Sequence, residues 1–570
     1  MMATSQTDID NALAILQSNK GNWAMLNVEQ RIRLIDEIIE NMRTVAALWV
    51  AAELKARDLD PKSETASEAW TGMSFIFRLL HTLRKSLYEI FKHGRPLIPG
   101  PVRTREDGQV IVPVVPRTIG DRLLNNRFAY QGITAEVRME PGVTAEEVTS
   151  AQAHEYHDDT YTGNVTLILG AGNQGFLVVG EVLHHLFVKL RAVILKMNPV
   201  NEYLGPLIEK TFRALVEQGF FKVVYGDVAE GNYLTNHPAV EEIHMTGSHK
   251  TYEAIVFGSG EEGAKRKSER KPLITKRFTA ELGSVNPIIV VPGQWSKEEI
   301  NHQAGTLVGT LTHNAGFNCN TTRVIVTYAG WPQRGELIDA IRNILARVPN
   351  RQAYYPNAQA NYSEFLAAHP EAEQFGKTGT DTLPWMFIPS IDPTNRDDFC
   401  FKKEPFGGIF GETSIKAESI PEYIERAVDF LNETLWGTLT STIIVHPDSL
   451  TDYSVAVEQA ISNLKYGTVG INVWGAVSYT LGVTTWGAFP GHNMYDIQSG
   501  IGVVGNMLML DRPQKTVIRG PFKQIVQPFA LVNNFNNFSQ RLSDYEAKPS
   551  PWKLVSLIRE GIRVNQHAIQ

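Results

Sequence analysis

One stretch of the chain, residues 164–226, constrains its fold more than any other, because short apolar runs and helical patterns alternate along it. The first apolar run is NVTLIL (164–169) and the second is RAVILK (191–196), and a segment with helical periodicity follows each of them. A third run, FKVVYG (221–226), closes the series. This order predicts a parallel, doubly wound sheet with a nucleotide site at the carboxyl ends of its strands.

A second series of the same kind begins at PIIVV (287–291) and reaches STIIVHP (441–447). Two α/β domains are therefore predicted. Hydrophobic residues make up 43% of the chain and charged residues 20%, a composition that supports large cores and excludes an intrinsically disordered chain.

Helices are predicted before the first sheet. Residues 27–56 repeat apolar side chains at helical spacing, and Asn27 with Gln30 three residues later is the pattern of a capping box. Residues 66–93 have a helical pattern as well. Between residues 97 and 116 the frequent Pro and Gly predict strands and turns.

Charge and cysteine content exclude several classes of protein. The net charge of −7 gives no general attraction to nucleic acid, and two cysteines, Cys319 and Cys400, are too few for a disulfide scaffold or a zinc ribbon. The chain starts without a secretory pattern and contains no apolar run of about 18 residues, so we expect a cytoplasmic protein without a membrane span.

The first predicted strand ends in a glycine-rich loop, GAGNQG (170–175), which fits the dinucleotide-binding pattern G-x-G-x-x-G. An acidic residue for the adenosine ribose is expected at the end of the second strand, but Lys196 stands there. Two interpretations remain open at this point: a phosphate-binding loop, or a tight strand-to-helix turn that requires small residues. A third possibility makes Asn173 the important residue of the loop.

Four further motifs favour that third possibility: MTGS (245–248), ELGSVNP (281–287), NAGFNC (314–319) and EPFGG (404–408). In this order they resemble the aldehyde dehydrogenase superfamily over roughly residues 160–475. The resemblance implies an α/β fold with a Rossmann-type cofactor domain, an α/β catalytic domain and a small β oligomerisation arm.

The resemblance also implies catalytic roles. Cys319 is the expected nucleophile, which forms a thiohemiacetal and then a thioester. The Asn173 amide and the Cys319 backbone N–H are the expected oxyanion donors, and Glu281 is the expected base for the hydrolytic water. The alternative for Cys319 is a buried apolar thiol, which its polar neighbours disfavour and which we expect for Cys400. No metal is expected.

The cofactor implied by the resemblance is NAD or NADP. Lys196 would contact the adenosine ribose, Ser248 beside Gly247 the pyrophosphate, and Glu404 the nicotinamide ribose. Phe406 would lie beside the nicotinamide half, with Gly283 near it. Pro199 occupies a position where many NAD-selective members carry glutamate, so NADP is expected to be accepted.

Domain bounds follow from these assignments. Helices at 1–95 would pack on a cofactor domain at 164–286, and a catalytic domain would occupy 287–480. Residues 481–509 would return to the cofactor domain. Residues 96–163 and 510–570 would form the oligomerisation arm, an insertion and a long tail, with strands at 106–116 and 514–527.

The predicted function is NAD(P)-dependent oxidation of a small aldehyde to a carboxylic acid by a homodimer or homotetramer that binds no nucleic acid. Two alternatives remain. One is a CoA-acylating dehydrogenase or acyl reductase, which Glu281 disfavours because acylating relatives generally lack that base. The other is a catalytically silent nucleotide-binding relative. The segment 259–277, which contains Lys265, Arg266 and Lys267, is expected to be a solvated loop.

Overall fold

A computed structural model describes residues 1–117, 132–379, 381–523 and 531–566, with only the backbone of residues 565 and 566 included. The α-helices are Gln6–Met25, Val28–Ala56, Ser67–His93, Ala145–Ser150, Gly175–Leu183, Gly205–Thr211, Arg213–Glu217, Val228–Asn236, His249–Val256, Gly260–Ser268, Lys297–Thr312, Arg334–Leu345, Ala358–Ala368, Phe399–Lys402, Ile420–Thr434, Pro447–Asp452, Ser454–Asn463, Val477–Leu481, Phe535–Ala547 and Pro551–Gln566.

The strands are β1 (Arg103–Thr104), β2 (Val110–Val115), β3 (Thr134–Met139), β4 (Val165–Leu169), β5 (Ala192–Lys196), β6 (Phe221–Val224), β7 (Glu242–Gly247), β8 (Arg277–Leu282), β9 (Asn286–Val290), β10 (Thr322–Tyr328), β11 (Glu373–Phe375), β12 (Trp385–Ile391), β13 (Ile409–Ile415), β14 (Thr440–Ile444), β15 (Thr468–Ile471), β16 (Thr485–Trp486), β17 (Gly500–Ile501), β18 (Val504–Gly505) and β19 (Pro513–Arg519).

The first sheet has the order β17-β8-β7-β4-β5-β6, and its five long strands are parallel. Thr246 pairs with Glu281 and Leu169 with Lys196, so the carboxyl ends of these strands lie at one edge. This arrangement confirms the doubly wound sheet predicted from the alternating pattern. Apolar runs such as β4 and β5 are almost wholly buried because helices cover both faces.

The second sheet has eleven strands in the order β1-β2-β3-β19-β15-β14-β9-β10-β13-β12-β11. Its centre, from β15 to β12, is parallel, which confirms the second α/β domain. The strands predicted for the arm extend this sheet within the same chain: β19 pairs with β15 on one side and with β3 on the other. Residues 524–527 of the predicted arm lie outside the described residues.

The predicted helical layer is present at the start of the chain. Asn27 caps Val28–Ala56 and Gln30 returns a hydrogen bond to the Asn27 backbone, which completes the expected capping box. This helix and Ser67–His93 pack on Gly175–Leu183, and their buried faces join one core that includes Trp49 and Phe77. In the described part of the chain, no helix is both long enough and apolar enough to span a bilayer.

The expectation of a solvated loop over 259–277 is wrong for its first half, because Gly260–Ser268 is a helix. Acidic residues occupy its first turn and Lys265, Arg266 and Lys267 its last, a distribution that matches the helix dipole. Lys267 pairs with Glu253 at 2.6 Å and Arg266 with Glu262. Local ion pairs therefore account for this basic run.

The tail forms two helices, Phe535–Ala547 and Pro551–Gln566, and the first of them packs along Ser67–His93. Both carboxylate oxygens of Glu64 accept backbone N–H groups at the start of this helix, from Asn534 and Asn536, each at 2.8 Å. The Thr71 hydroxyl also donates to Ser539 at 3.2 Å. These contacts fix the tail against the opening helices.

Candidate active site

Cys319 lies in a loop between Lys297–Thr312 and β10, and a left-handed turn shapes this loop. Asn314 and Ala315 have φ of 51° and 54°, and Gly316 has φ of 81°. A side chain at Gly316 would collide with the Gly407 backbone. Both the positive φ and this lack of space therefore require glycine at the position. The strained turn brings NAGFNC against EPFGG, as the motifs predicted.

Buried side chains hold the loop in place through its backbone. The Arg323 guanidinium donates to the carbonyls of Gly407 at 2.5 Å and Gly316 at 2.9 Å. The Asn286 amide donates to the carbonyl of Cys319 at 2.7 Å. The orientation of Cys319 is therefore set by two residues, Arg323 and Asn286, to which sequence reasoning gave no role.

The Cys319 thiol donates a hydrogen bond to the Glu281 carboxylate at the carboxyl end of β8. Burial raises the pKa of the Cys319 thiol well above its usual range, and the Glu281 charge raises it further. Burial also raises the pKa of Glu281 to about 7, although the hydrogen bonds from Cys319 and from the Trp486 indole lower it. The indole Nε1 donates to Oε1 of Glu281 at 3.2 Å. An acceptor that titrates near neutrality thus contacts the thiol directly.

Asn173 is buried against the Cys319 loop from the opposite side. Its Nδ2 donates to the Phe317 carbonyl at 3.0 Å. The backbone carbonyl of Asn173 accepts from the Tyr354 hydroxyl at 3.0 Å and from Nδ2 of Asn314 at 3.2 Å. Because both the backbone and the side chain of Asn173 are held, its amide is preorganised to donate to an oxyanion formed near Cys319.

The glycines of the 170–175 loop have packing roles. A side chain at Gly172 would collide with Asn198, and one at Gly175 would collide with Leu204 and Glu53. The tight-turn interpretation therefore explains these two glycines. The turn delivers Asn173 to the cysteine loop, as the third possibility required.

Glu404 lies against Gly283, where any side chain would displace its carboxylate. Burial raises the pKa of Glu404 to about 8, although Arg323 opposes the shift. Its Oε1 is buried without a hydrogen-bond partner. A buried, unpaired acceptor next to the Cys319 loop suits a hydroxyl-bearing ligand, which fits a cofactor ribose in that position.

The expected adenosine half of the site is at the same sheet edge. Lys196 ends β5 and is 8% exposed, and Gly247 ends β7 with Ser248 capping the next helix through its hydroxyl. Burial lowers the pKa of Lys196, while Asp227 and Glu230 raise it. A buried lysine and a helix N-terminus at one sheet edge suit a ribose and a pyrophosphate. The two carboxylates near Lys196 were not expected.

Aromatic rings surround the cysteine loop on the side of Phe406. Phe317 lies 5.9 Å from Phe406 and 5.0 Å from Tyr354, centroid to centroid, and Tyr355 lies 4.7 Å from Phe406. Phe317 therefore joins an aromatic cluster. Phe406 itself has a positive φ of 41°.

A buried carboxyl that sequence reasoning missed, Glu181, lies on Gly175–Leu183. It hydrogen-bonds the Thr246 side chain, and Thr246 is the register partner of Glu281. Burial raises the pKa of Glu181 to about 8, and Glu281 adds to that shift. The only sequence signal was an acid inside an otherwise apolar helix.

The fold and this site define a class of protein: two α/β domains with a cysteine in contact with a carboxylate at the carboxyl edge of a Rossmann-type sheet. A family model described as "Aldehyde dehydrogenase family" matches residues 177–344. Human 4-trimethylaminobutyraldehyde dehydrogenase is 29% identical over 295 residues, which are 47% of this chain and 54% of that protein. The chain thus spans about half the length of the curated relatives it matches.

Solved structures share the fold over most of the chain. NADP-dependent glyceraldehyde-3-phosphate dehydrogenase from Bacillus halodurans C-125, complexed with NADP, aligns with a TM-score of 0.60 and 16% identity over 91% of this chain and 92% of that one. An NAD-dependent aldehyde dehydrogenase from Sinorhizobium meliloti aligns with a TM-score of 0.58 and 16% identity over 90% and 86%. The chain is therefore similar to aldehyde dehydrogenases in sequence over part of its length and in fold over most of it, in agreement with the resemblance of its motifs.

Proposed function

We propose that this protein oxidises an aldehyde to a carboxylic acid with a nicotinamide cofactor. The observation that carries the proposal is the contact between the Cys319 thiol and the Glu281 carboxylate, placed at the carboxyl edge of the first sheet. The relatives described above are dehydrogenases of aldehydes, which supports the same reaction class.

Glu281 activates the nucleophile. Because burial holds the thiol of Cys319 protonated, its proton must leave as the sulfur attacks the aldehyde carbon. Glu281 accepts that proton through the existing hydrogen bond. The product is a thiohemiacetal on Cys319, and the Asn173 amide and the Cys319 backbone N–H donate to its oxyanion.

A bound nicotinamide cofactor supplies a hydride acceptor, and oxidation of the thiohemiacetal leaves a thioester on Cys319. Lys196, Ser248 and Glu404 would hold the cofactor. Glu281 first releases the thiol proton to solvent. It then removes a proton from the water that hydrolyses the thioester, and return of that proton to the sulfur restores the thiol as the carboxylic acid leaves. Trp486 keeps the Glu281 carboxyl in position through its indole N–H.

An aldehyde panel tests this function. Purified protein is mixed with short-chain, long-chain, aromatic and charged aldehydes, with NAD or NADP, and absorbance of the reduced cofactor is followed with and without CoA. We expect reduction and free acid without CoA. Turnover that requires CoA would instead identify the acylating alternative, and no reduction with any aldehyde would identify a silent relative.

The choice of cofactor depends on charges near Lys196. Pro199 is exposed and leaves space for a 2′-phosphate, but the carboxylates of Asp227 and Glu230 repel one. Glu230→Gln is expected to raise the ratio of kcat/KM for NADP to that for NAD by up to about fivefold, because an interaction between solvent-exposed charges contributes at most about 1 kcal/mol.

The matched control for that prediction is Glu217→Gln. Glu217 is an exposed carboxylate on the helix that precedes β6, at the other edge of the sheet. The Glu217→Gln variant should have the same ratio of kcat/KM for NADP to that for NAD as the wild type. An unchanged ratio in Glu230→Gln would show that Glu230 does not face the adenosine ribose.

A further inference from the structure

A cleft that encloses about 210 Å³ reaches Cys319. One wall comes from Ser67–His93 and Gly175–Leu183, which contribute Phe75 and Phe176. Another comes from the segment that precedes β16, with Trp474 and Tyr479. Asn173 and Cys319 also line the cleft, so an aldehyde bound in it would have access to the sulfur.

The tail closes this cleft with a third wall. Phe538 and Leu542 from Phe535–Ala547 line it, together with Val564 from Pro551–Gln566. All three side chains are buried. The contacts of Glu64 and Thr71 with the start of the tail hold this wall in place. The tail is remote in sequence from residues 177–344, over which the family model matches.

The charge state of the cleft restricts its ligands. Of the described residues that line it, Glu68 is the only carboxylate, and none is a lysine or an arginine. The Arg351 guanidinium donates hydrogen bonds to both carboxylate oxygens of Glu68, at 2.8 and 3.0 Å. Burial lowers the pKa of His313, so that ring is neutral near pH 7. Among the described lining residues, no charge is left to pair with a charged substituent.

We propose that the tail helices make this cleft a pocket for the apolar, uncharged chain of an aliphatic aldehyde. This inference rests on the proposed function for its reaction, whereas the pocket can be tested without turnover. An alkyl chain that moves from water into contact with Phe538, Leu542 and Val564 gains about 0.8 kcal/mol for each buried methylene. This gain corresponds to a nearly fourfold increase in kcat/KM for each methylene. An ionic chain would lose its hydration without a partner charge.

The experiment compares propanal, hexanal, decanal and succinate semialdehyde on the wild type, Leu542→Trp and Leu542→Ala. In the wild type, kcat/KM should rise at least tenfold from propanal to decanal and be lowest for succinate semialdehyde. Leu542→Trp, which fills the cleft, should remove most of the gain for decanal and leave propanal within threefold. Leu542→Ala should lower kcat/KM for decanal alone. Trp552→Ala is the control, because Trp552 is 84% exposed on the same tail.

Binding of decanamide, measured by calorimetry on the same proteins, separates this inference from the proposed function. If no aldehyde is oxidised but the wild type binds decanamide and Leu542→Trp does not, the proposed function fails and the pocket stands. If aldehydes are oxidised without a preference for long chains, or if both Leu542 variants keep the wild-type preference, the pocket is wrong and the function stands. A wild type that neither oxidises aldehydes nor binds decanamide overturns both.

Discussion

Replacement of Cys319 by alanine is expected to lower kcat/KM for aldehyde oxidation by at least about a thousandfold, because removal of a covalent nucleophile leaves only binding and oxyanion stabilisation. The thiol is the group that Glu281 contacts, and the Asn173 amide is held against the same loop. Initial rates of NAD(P)H formation with the best aldehyde from the panel measure the effect.

The other cysteine provides the matched control. Cys400 is buried in a different core, in the Phe399–Lys402 helix, and its thiol hydrogen-bonds Asp398. His369 contacts the same carboxylate at 3.1 Å. Cys400→Ala should keep kcat/KM within about threefold of the wild type, since no contact links this group to Glu281. If Cys319→Ala retains a tenth of the wild-type activity, or if Cys400→Ala is the inactive variant, Cys319 is not the nucleophile.

Local sequence patterns were enough to predict both sheets and the motifs of the cleft. Alternation of apolar runs identified β4, β5 and β6, and the capping pair Asn27 and Gln30 identified a helix start, because each depends on residues close together in the chain. These are the features that neighbouring residues determine. The joint placement of Cys319 and Glu281, by contrast, was an implication of the family resemblance.

Features that depend on distant contacts could not be predicted. The tail forms one wall of the cleft because Glu64 and Thr71 hydrogen-bond to it. Those contacts join residues more than four hundred positions apart in the sequence. The carboxylates of Asp227 and Glu230 face Lys196 only because β6 lies next to β5. The helix at 260–268, in contrast, could have been predicted from the sequence. Its acidic residues precede its basic ones, which is the order that complements a helix dipole.

Glu281→Gln is expected to lower kcat about a hundredfold or more, because the amide cannot accept a proton from the thiol or from water. The wild-type kcat should fall about tenfold for each pH unit below about 7, since burial raises the pKa of Glu281 to about 7 and the group accepts protons only above that value. The variant should show no inflection there. Because Glu281 also takes the thiol proton, the first equivalent of reduced cofactor should form more slowly than in the wild type. Mass spectrometry of protein quenched after a long single-turnover incubation should find an acyl group on Cys319.

A neighbouring carboxyl makes this assignment testable, because Glu181 also titrates in the accessible range, with a pKa of about 8. Glu181 bonds Thr246 and has no hydrogen bond to Cys319, so Glu181→Gln should retain the inflection near pH 7. If the inflection disappears in Glu181→Gln and persists in Glu281→Gln, the base is Glu181. A Glu281→Gln variant with wild-type kcat and no trapped acyl group would show that water attacks the thioester without help from this carboxylate.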